Sequence, residues 1–161
     1  MTGAVAITLT VNGEAVSESV EPRTTLVDFL RDALGLTGSH VGCEHGVCGA
    51  CTVRIDGAIV RGCLALAVQC DGARVETIEG VSDSGTIADL QQAFRTRNAL
   101  QCGFCTPGML LTAAVLLAQG GVPSRDKIRE HISGNYCRCT GYQAIVDAIE
   151  SVAQARKGAR P

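Results

Sequence analysis

Tryptophan is absent from this 161-residue chain, and two tyrosines and three phenylalanines are its only aromatics. Rows of stacking rings, the platform on which single-stranded nucleic acid lies, are therefore excluded. Charge is scarce as well: 19% of residues are Asp, Glu, Lys or Arg, and the formal net charge is −2. That balance argues against a basic nucleic-acid footprint and against a polybasic membrane anchor. Long apolar runs are also missing. The longest, Met109 to Ala118, is about half what a membrane-spanning helix needs. The opening residues MTGAVAITLTVNGEAV hold no basic residue before a hydrophobic stretch and no twin-arginine pair. No export signal is visible, and a cytoplasmic location is expected.

With 46% hydrophobic residues the chain is expected to fold, and its length suits one ordinary domain or two small ones. Its excess is in cysteine: Cys43, Cys48, Cys51, Cys63, Cys70, Cys102, Cys105, Cys137 and Cys139. Nine is odd, so a fully paired disulfide framework within one chain is impossible, and a reducing cytoplasm would not preserve one. Many cysteines in such a chain point to metal binding or redox work. Eight of them fall into two groups of four, and Cys70 is left over.

The first half reads as β-rich. Ile7, Leu9 and Val11 alternate with polar residues, Asn12-Gly13 is a hairpin signal, and Glu14 to Val20 follows as a second strand. Thr25-Leu-Val-Asp28 resembles a capping box with Asp in place of Glu. It opens a helix to about Leu34 that Gly35 closes. A glycine-rich loop from Gly38 to Gly49 precedes a strand at Cys51 to Asp56, the tight turn Asp56-Gly57, a return at Ala58 to Arg61 and a strand at Ala73 to Ile78. Beyond Gly80 the pattern becomes helical. Helices are expected from Ile87 to Arg97 with Thr86 as cap, from Gly108 to Ala118 after the cap Thr106 and Pro107, from Ser124 to His131, and from Tyr142 to Ala155. The boundary falls near residue 80, and Ala153 to Pro161 reads as a frayed end.

Cys43-x4-Cys48-x2-Cys51, with Cys63 eleven residues on, matches the plant-type spacing for a [2Fe–2S] cluster. Three thiolates from one loop must turn inward on a four-atom rhomb, and Gly42, Gly46 and Gly49 permit that curl. Structural zinc prefers two tight chelating pairs and fits poorly. A Rieske centre is hinted at by Cys43-x-His45 but needs two histidine ligands, and the second loop offers none. In the second group, Cys102-Gly-Phe-Cys105 precedes one helix start and Cys137-Arg-Cys139 precedes another. Two helix N-termini turned on one point favour an anionic metal–thiolate centre. Spacing alone leaves zinc and a second iron–sulfur cluster equally open. A redox dithiol at Cys102 and Cys105 would leave Cys137 and Cys139 without a role.

The stretches VGCEHGVCGACTVRIDG, QCGFCTPGM and SGNYCRCTGYQAI closely resemble the small iron–sulfur subunit of the molybdenum hydroxylases. That family includes xanthine dehydrogenase, aldehyde oxidase, bacterial carbon monoxide dehydrogenases and 4-hydroxybenzoyl-CoA reductases. The resemblance runs from the first strand to the last helix. It implies an α+β protein: a plant-ferredoxin-like β-grasp domain, residues 1–80, then a four-helix domain, residues 81–161. It also implies a [2Fe–2S] cluster on each quartet: Cys43, Cys48, Cys51 and Cys63, and Cys102, Cys105, Cys137 and Cys139. Gln101 and Cys139 match positions that touch a molybdopterin, of the cytosine dinucleotide form, carried by a large partner subunit. A medium subunit would hold FAD, in a dimer of heterotrimers. The chain itself is too short for a pterin or flavin domain and shows neither GxGxxG nor a P-loop. Its implied work is to relay single electrons between molybdenum and FAD. A free-standing two-cluster carrier or redox sensor is the alternative.

Other residues carry plainer expectations. Taken alone, Gln101 is a solvated amide before a loop. Cys70 reads as a small apolar strand residue, His45 as a polar loop residue, and His131 as part of an exposed helix turn. Phe104 reads as a shield from water, and Arg138 as an offset to cluster charge or a partner contact.

Overall fold

The computed structural model describes residues 3–159. Strands β1 (Val5–Val11) and β2 (Glu14–Val20) pair antiparallel around Asn12 and Gly13, at φ +51° and +88°. Two successive left-handed residues are what a two-residue hairpin turn requires. β3 (Thr52–Ile55) and β4 (Ala58–Arg61) repeat the device around Asp56 and Gly57, at φ +49° and +85°. β5 (Arg74–Glu76) slots between the hairpins, parallel to β1 and antiparallel to β3, giving the five-stranded order β2-β1-β5-β3-β4.

Thr25 caps the first helix α1 (Leu26–Asp28). Its hydroxyl oxygen accepts from the Asp28 amide at 3.2 Å and donates to the Asp28 carboxylate at 2.6 Å. The helix runs on as a wider turn, Phe29–Ala33, and Gly35 closes it at φ +69°. Leu26, Phe29 and Leu30 pack onto Ile7, Leu9, Val53 and Val75 of the sheet. Cys70 lies at the end of a 3₁₀ turn, Ala67–Cys70, and not in a strand as its apolar neighbours suggest. It is 2% exposed and its thiol turns to the Leu66 carbonyl. Burial pushes that thiol up from its ordinary pKa, the condition of an inert packing residue.

The second half is helical: α2 (Ile78–Asp83), α3 (Ala88–Thr96), α4 (Thr106–Ala118), α5 (Arg125–Ile132) and α6 (Gln143–Gly158). Helix α4 is apolar all round, and nine of its residues are buried. It is the axis around which Leu90, Phe94, Ile128, Ile145 and Ile149 collect. A helix with no polar face must be covered on every side; truncating Leu111, fully buried, to Ala would cost about 2–5 kcal/mol. Helix α4 also packs against β3, so one element joins the two halves. Among the described residues no helix is long and apolar enough to cross a membrane.

Several expectations shift. The strand expected to reach Ile78 stops at Glu76, and Ile78 opens α2, which runs across residue 80. Among the described residues the short helix α2 precedes the four longer helices α3 to α6. Thr86 caps nothing; α3 begins after Ile87, and the Thr86 hydroxyl meets Ser84 and the Val81 carbonyl. Thr106 is the first helical residue rather than the cap, which is Cys105, and its buried hydroxyl has no protein partner. Ser124 does cap α5, accepting from the Lys127 amide. His131 is half-buried, with Nε2 at 3.0 Å from the Thr112 carbonyl. The expected frayed end is helical to Gly158, because Val152 and Ala153 are buried and Arg156 ties α6 to Asp89 of α3. Residues 160 and 161 of that expected end lie outside the described residues.

Candidate metal centres

The loop before β3 turns its thiols inward by backbone conformation. The Cys48 amide donates to Cys43 Sγ at 3.3 Å. With the His45 and Val47 amides behind it, that bond brings the half-buried Cys43 thiol down to about 6. A thiolate is thus favoured before any metal arrives. Gly42 allows the curl: a Cβ there would lie 3.1 Å from Cys48 Sγ. Cys51 and Cys63 flank the β3–β4 hairpin at its open end, where the Gly62 amide donates to the Cys51 carbonyl at 3.0 Å. Their side chains face one another, buried against Val27 and Val41. Burial pushes Cys51 up to about 11. The four sequence-predicted positions Cys43, Cys48, Cys51 and Cys63 therefore come together. His45 does not join them: its Nδ1 bonds the Cys43 carbonyl.

The second group forms at helix starts. Cys105 caps α4, with Cys102 three residues ahead. Cys137 and Cys139 lie in the turn before α6, whose preceding residue Tyr142 is left-handed at φ +70°. The Tyr142 hydroxyl accepts from the Cys137 amide at 2.9 Å, and the Thr140 hydroxyl donates to Cys137 Sγ at 3.1 Å. Burial raises Cys137, but the Thr140 hydroxyl and nearby amides outweigh it and the thiol is lowered. Cys105, facing Cys137 and Cys102, is pushed up to about 12 by burial. Cys139 and Cys102 face each other at the surface, both exposed. The Cys102 amide lowers Cys139, yet the Cys102 thiol and partial desolvation leave it raised. Gln101 closes the edge: Nε2 donates to the Cys139 carbonyl at 3.1 Å, so the two residues expected to meet a pterin share one exposed rim.

The donor chemistry decides what such quartets suit. Each offers four soft sulfurs, with N–H or O–H groups aimed at some of them, the surroundings of an iron–sulfur cluster.

The two quartets touch. The Tyr136 amide, next to Cys137, donates to the Cys48 carbonyl at 2.8 Å. Phe104, between Cys102 and Cys105, stacks on His40 with centroids 4.7 Å apart, and its carbonyl bonds His40 Nδ1 at 2.7 Å. Phe104 is 46% exposed, so it bridges the loops more than it shields them. Neither His40 nor the buried Asn135 was legible as a site residue, since each acts through a contact distant in the chain.

Comparison with known proteins agrees with this geometry. Residues 9–74 match the family described as the 2Fe-2S iron-sulfur cluster binding domain, and residues 77–150 the [2Fe-2S] binding domain. The gamma subunit of caffeine dehydrogenase from Pseudomonas sp. (strain CBB1) is 56% identical over 149 residues, covering 91% of this chain and 89% of the relative. The small subunit of nicotine 6-hydroxylase from Paenarthrobacter nicotinovorans is 52% identical, covering 90% and 87%. Among solved structures, a chain of quinoline 2-oxidoreductase from Pseudomonas putida 86 superposes with TM-score 0.90 at 52% identity, covering 99% of both chains. The aldehyde oxidoreductase of Desulfovibrio gigas gives 0.86 at 42% identity, with 98% of this chain matching 18% of that longer one.

Proposed function

The chain belongs to the small iron–sulfur subunits of the molybdenum hydroxylases, and from that premise we propose which of its residues do the work of an electron-transfer subunit. Cys43, Cys48, Cys51 and Cys63 would hold one [2Fe–2S] cluster, and Cys102, Cys105, Cys137 and Cys139 the other. When bound, each cluster supplies one-electron chemistry. The chain's own residues tune it. The Cys48 amide on Cys43 and the Thr140 hydroxyl on Cys137 put partial positive charge beside sulfur, and the burial of Cys51 and Cys63 keeps water from one side.

We read the sheet half, to about residue 80, as a plant-ferredoxin-like β-grasp domain, and α3 to α6 as the four-helix domain with α2 as its lead-in. Gln101 and Cys139 would meet a molybdopterin, of the cytosine dinucleotide form, on a large subunit; their shared exposed rim supports this. The loop at His45 and Gly46 would face FAD on a medium subunit, in a dimer of heterotrimers in the cytoplasm. Relatives more than half identical are named for caffeine, nicotine and quinoline, so a nitrogen heterocycle is the first substrate class to try. The single observation that carries the reading is the pair of complete quartets joined at the Cys48 carbonyl and Tyr136 amide.

The test is single-turnover reduction of the purified complex, frozen and read by electron paramagnetic resonance. In Cys48→Ser the Cys102–Cys139 cluster should still become reduced by substrate while FAD stays oxidised. In Gln101→Ala both clusters should assemble, with reduction slowed about two- to tenfold by the lost hydrogen bond. Normal FAD reduction in Cys48→Ser, its other cluster intact, would overturn the series order. Elution of a homogeneous, active 17 kDa species would favour the free carrier instead.

A further inference from the structure

One buried amide lies between the quartets. Asn135, two residues before Cys137, is 1% exposed and sits against Gly49, which follows Cys48. Its Nδ2 donates to the Gly49 carbonyl at 3.1 Å and to the Thr52 hydroxyl at 3.3 Å, and its Oδ1 accepts from the Thr112 hydroxyl at 3.0 Å. The Thr52 hydroxyl donates to the Gly49 carbonyl at 2.6 Å and accepts from Arg61 Nη1 at 2.5 Å. Arg61 Nη2 reaches on to the Gly134 carbonyl at 2.8 Å. Both amide protons and the carbonyl oxygen of Asn135 are engaged, so the network is satisfied rather than merely buried. It ties together β3, β4, α4 and the turn carrying Cys137.

That network borders a backbone hydrogen bond that joins the two quartets directly. Cys48 supplies the carbonyl, and Tyr136, bonded directly to Cys137, supplies the amide. One hydrogen bond completes an otherwise covalent path from the Cys48 thiol to the Cys137 thiol. The Tyr136 side chain is 55% exposed and takes no part. The backbones are pressed close: a Cβ on Gly49, itself at φ +75°, would stand 2.5 Å from the Gly134 carbonyl oxygen and 2.8 Å from Asn135 Nδ2. A satisfied polar network specifies one geometry, where an apolar seam of the same size would tolerate sliding.

We propose that Asn135 is the positioning residue for transfer between the two centres, holding the Cys48 carbonyl on the Tyr136 amide so that separation and bonded path stay fixed. The proposal rests on the two-cluster reading above. The step served moves one electron: one centre is oxidised by one, the other reduced by one, and Tyr136 keeps its proton. Thr112 holds the Asn135 oxygen, and Arg61 holds the Thr52 hydroxyl and the Gly134 carbonyl.

The test uses the intact complex carrying Asn135→Ala or the near-isosteric Thr112→Val. Three quantities are read: iron per chain, the magnetic splitting between the two reduced clusters, and the rate at which they equilibrate after a flash-injected electron. Asn135→Ala should retain full iron and both resonance signals, with the splitting reduced or broadened. Equilibration should slow about two- to tenfold, the range expected when a net hydrogen bond is lost. Thr112→Val should show the same change at about twofold, because it frees only the Asn135 oxygen. Full iron with wild-type splitting and rate in Asn135→Ala overturns the proposal. If Asn135→Ala loses iron, Thr112→Val decides, and wild-type splitting and rate there overturn it equally. Absence of two signals in the unmodified complex would overturn the two-cluster reading, a distinct failure.

Discussion

Around Cys43, Cys48, Cys51 and Cys63 the chain supplies backbone; around Cys102, Cys105, Cys137 and Cys139 it supplies helix starts and hydroxyls. The first quartet buries two thiols beside Val27 and lowers a third through the Cys48 amide. The second leaves Cys102 and Cys139 exposed and lowers Cys137 against its own burial, through Thr140 and neighbouring amides. A site built from backbone depends on conformations that only certain residues adopt. A site built from helix starts depends on helix packing and on single side-chain hydrogen bonds. The two should therefore fail in different ways.

The largest expected difference is loss of a centre. Cys48→Ser should remove two of four irons and leave the Cys102–Cys139 centre intact; Cys105→Ser should do the reverse. Cys70→Ser should leave iron unchanged, because that thiol is packed in the sheet core and turned to Leu66. Iron analysis with resonance spectra of the three variants checks this, and iron loss in Cys70→Ser would break the grouping.

Glycine substitutions come next. Gly49→Ala meets both a left-handed φ and the Gly134 carbonyl 2.5 Å away, so it should cost about 3 kcal/mol or more. Gly103→Ala, at φ +84° with nothing within 4 Å, pays only the left-handed penalty of about 1–2 kcal/mol. Denaturant midpoints at unchanged slope measure both. Equal costs would erase the distinction between the regions.

Thr140→Val removes the side-chain donor to Cys137 together with the acceptor of the Tyr142 amide. Losing the donor to Cys137 Sγ should disfavour the more negative, reduced state by about 0.5–1.5 kcal/mol. The second centre's potential should fall by about 20–60 mV, at 59 mV per tenfold for one electron. The first should not move. A redox titration followed at both signals reads this directly.

The smallest effect concerns the ion pair that closes α6 onto α3. The Arg156 guanidinium beside Asp89 holds its carboxyl below the usual range. A depressed carboxyl stabilises the fold above its unfolded pKa of about 3.9 and loses that contribution as pH falls through the lower folded value. Both groups are about a third to a half exposed, so Asp89→Asn should cost under about 1 kcal/mol at pH 7. The gap between variant and parent should narrow as pH falls below the unfolded value of about 3.9. Thermal denaturation at pH 7 and across the acid range tests it.

Some of this was legible locally. Asn12-Gly13 and Asp56-Gly57 dictate their turns within two residues, so both hairpins follow from composition and φ alone. Ile78 misled because an apolar residue after an alternating run suits a strand end as well as a first helical turn. Thr106-Pro107 reads as cap and first residue, but the helix begins one residue earlier and Cys105 takes the cap position. The eight quartet cysteines announce themselves by spacing within short stretches of sequence. Asn135 announces nothing: its partner Gly49 is 86 residues away, and only the packed halves reveal what the amide holds.

The most direct measurement is iron and acid-labile sulfide per chain in the purified complex, read together with its resonance spectrum after full reduction. Four irons, four sulfides and two distinct signals are expected from two separate [2Fe–2S] centres. Two irons with one signal, or stoichiometric zinc, would contradict it.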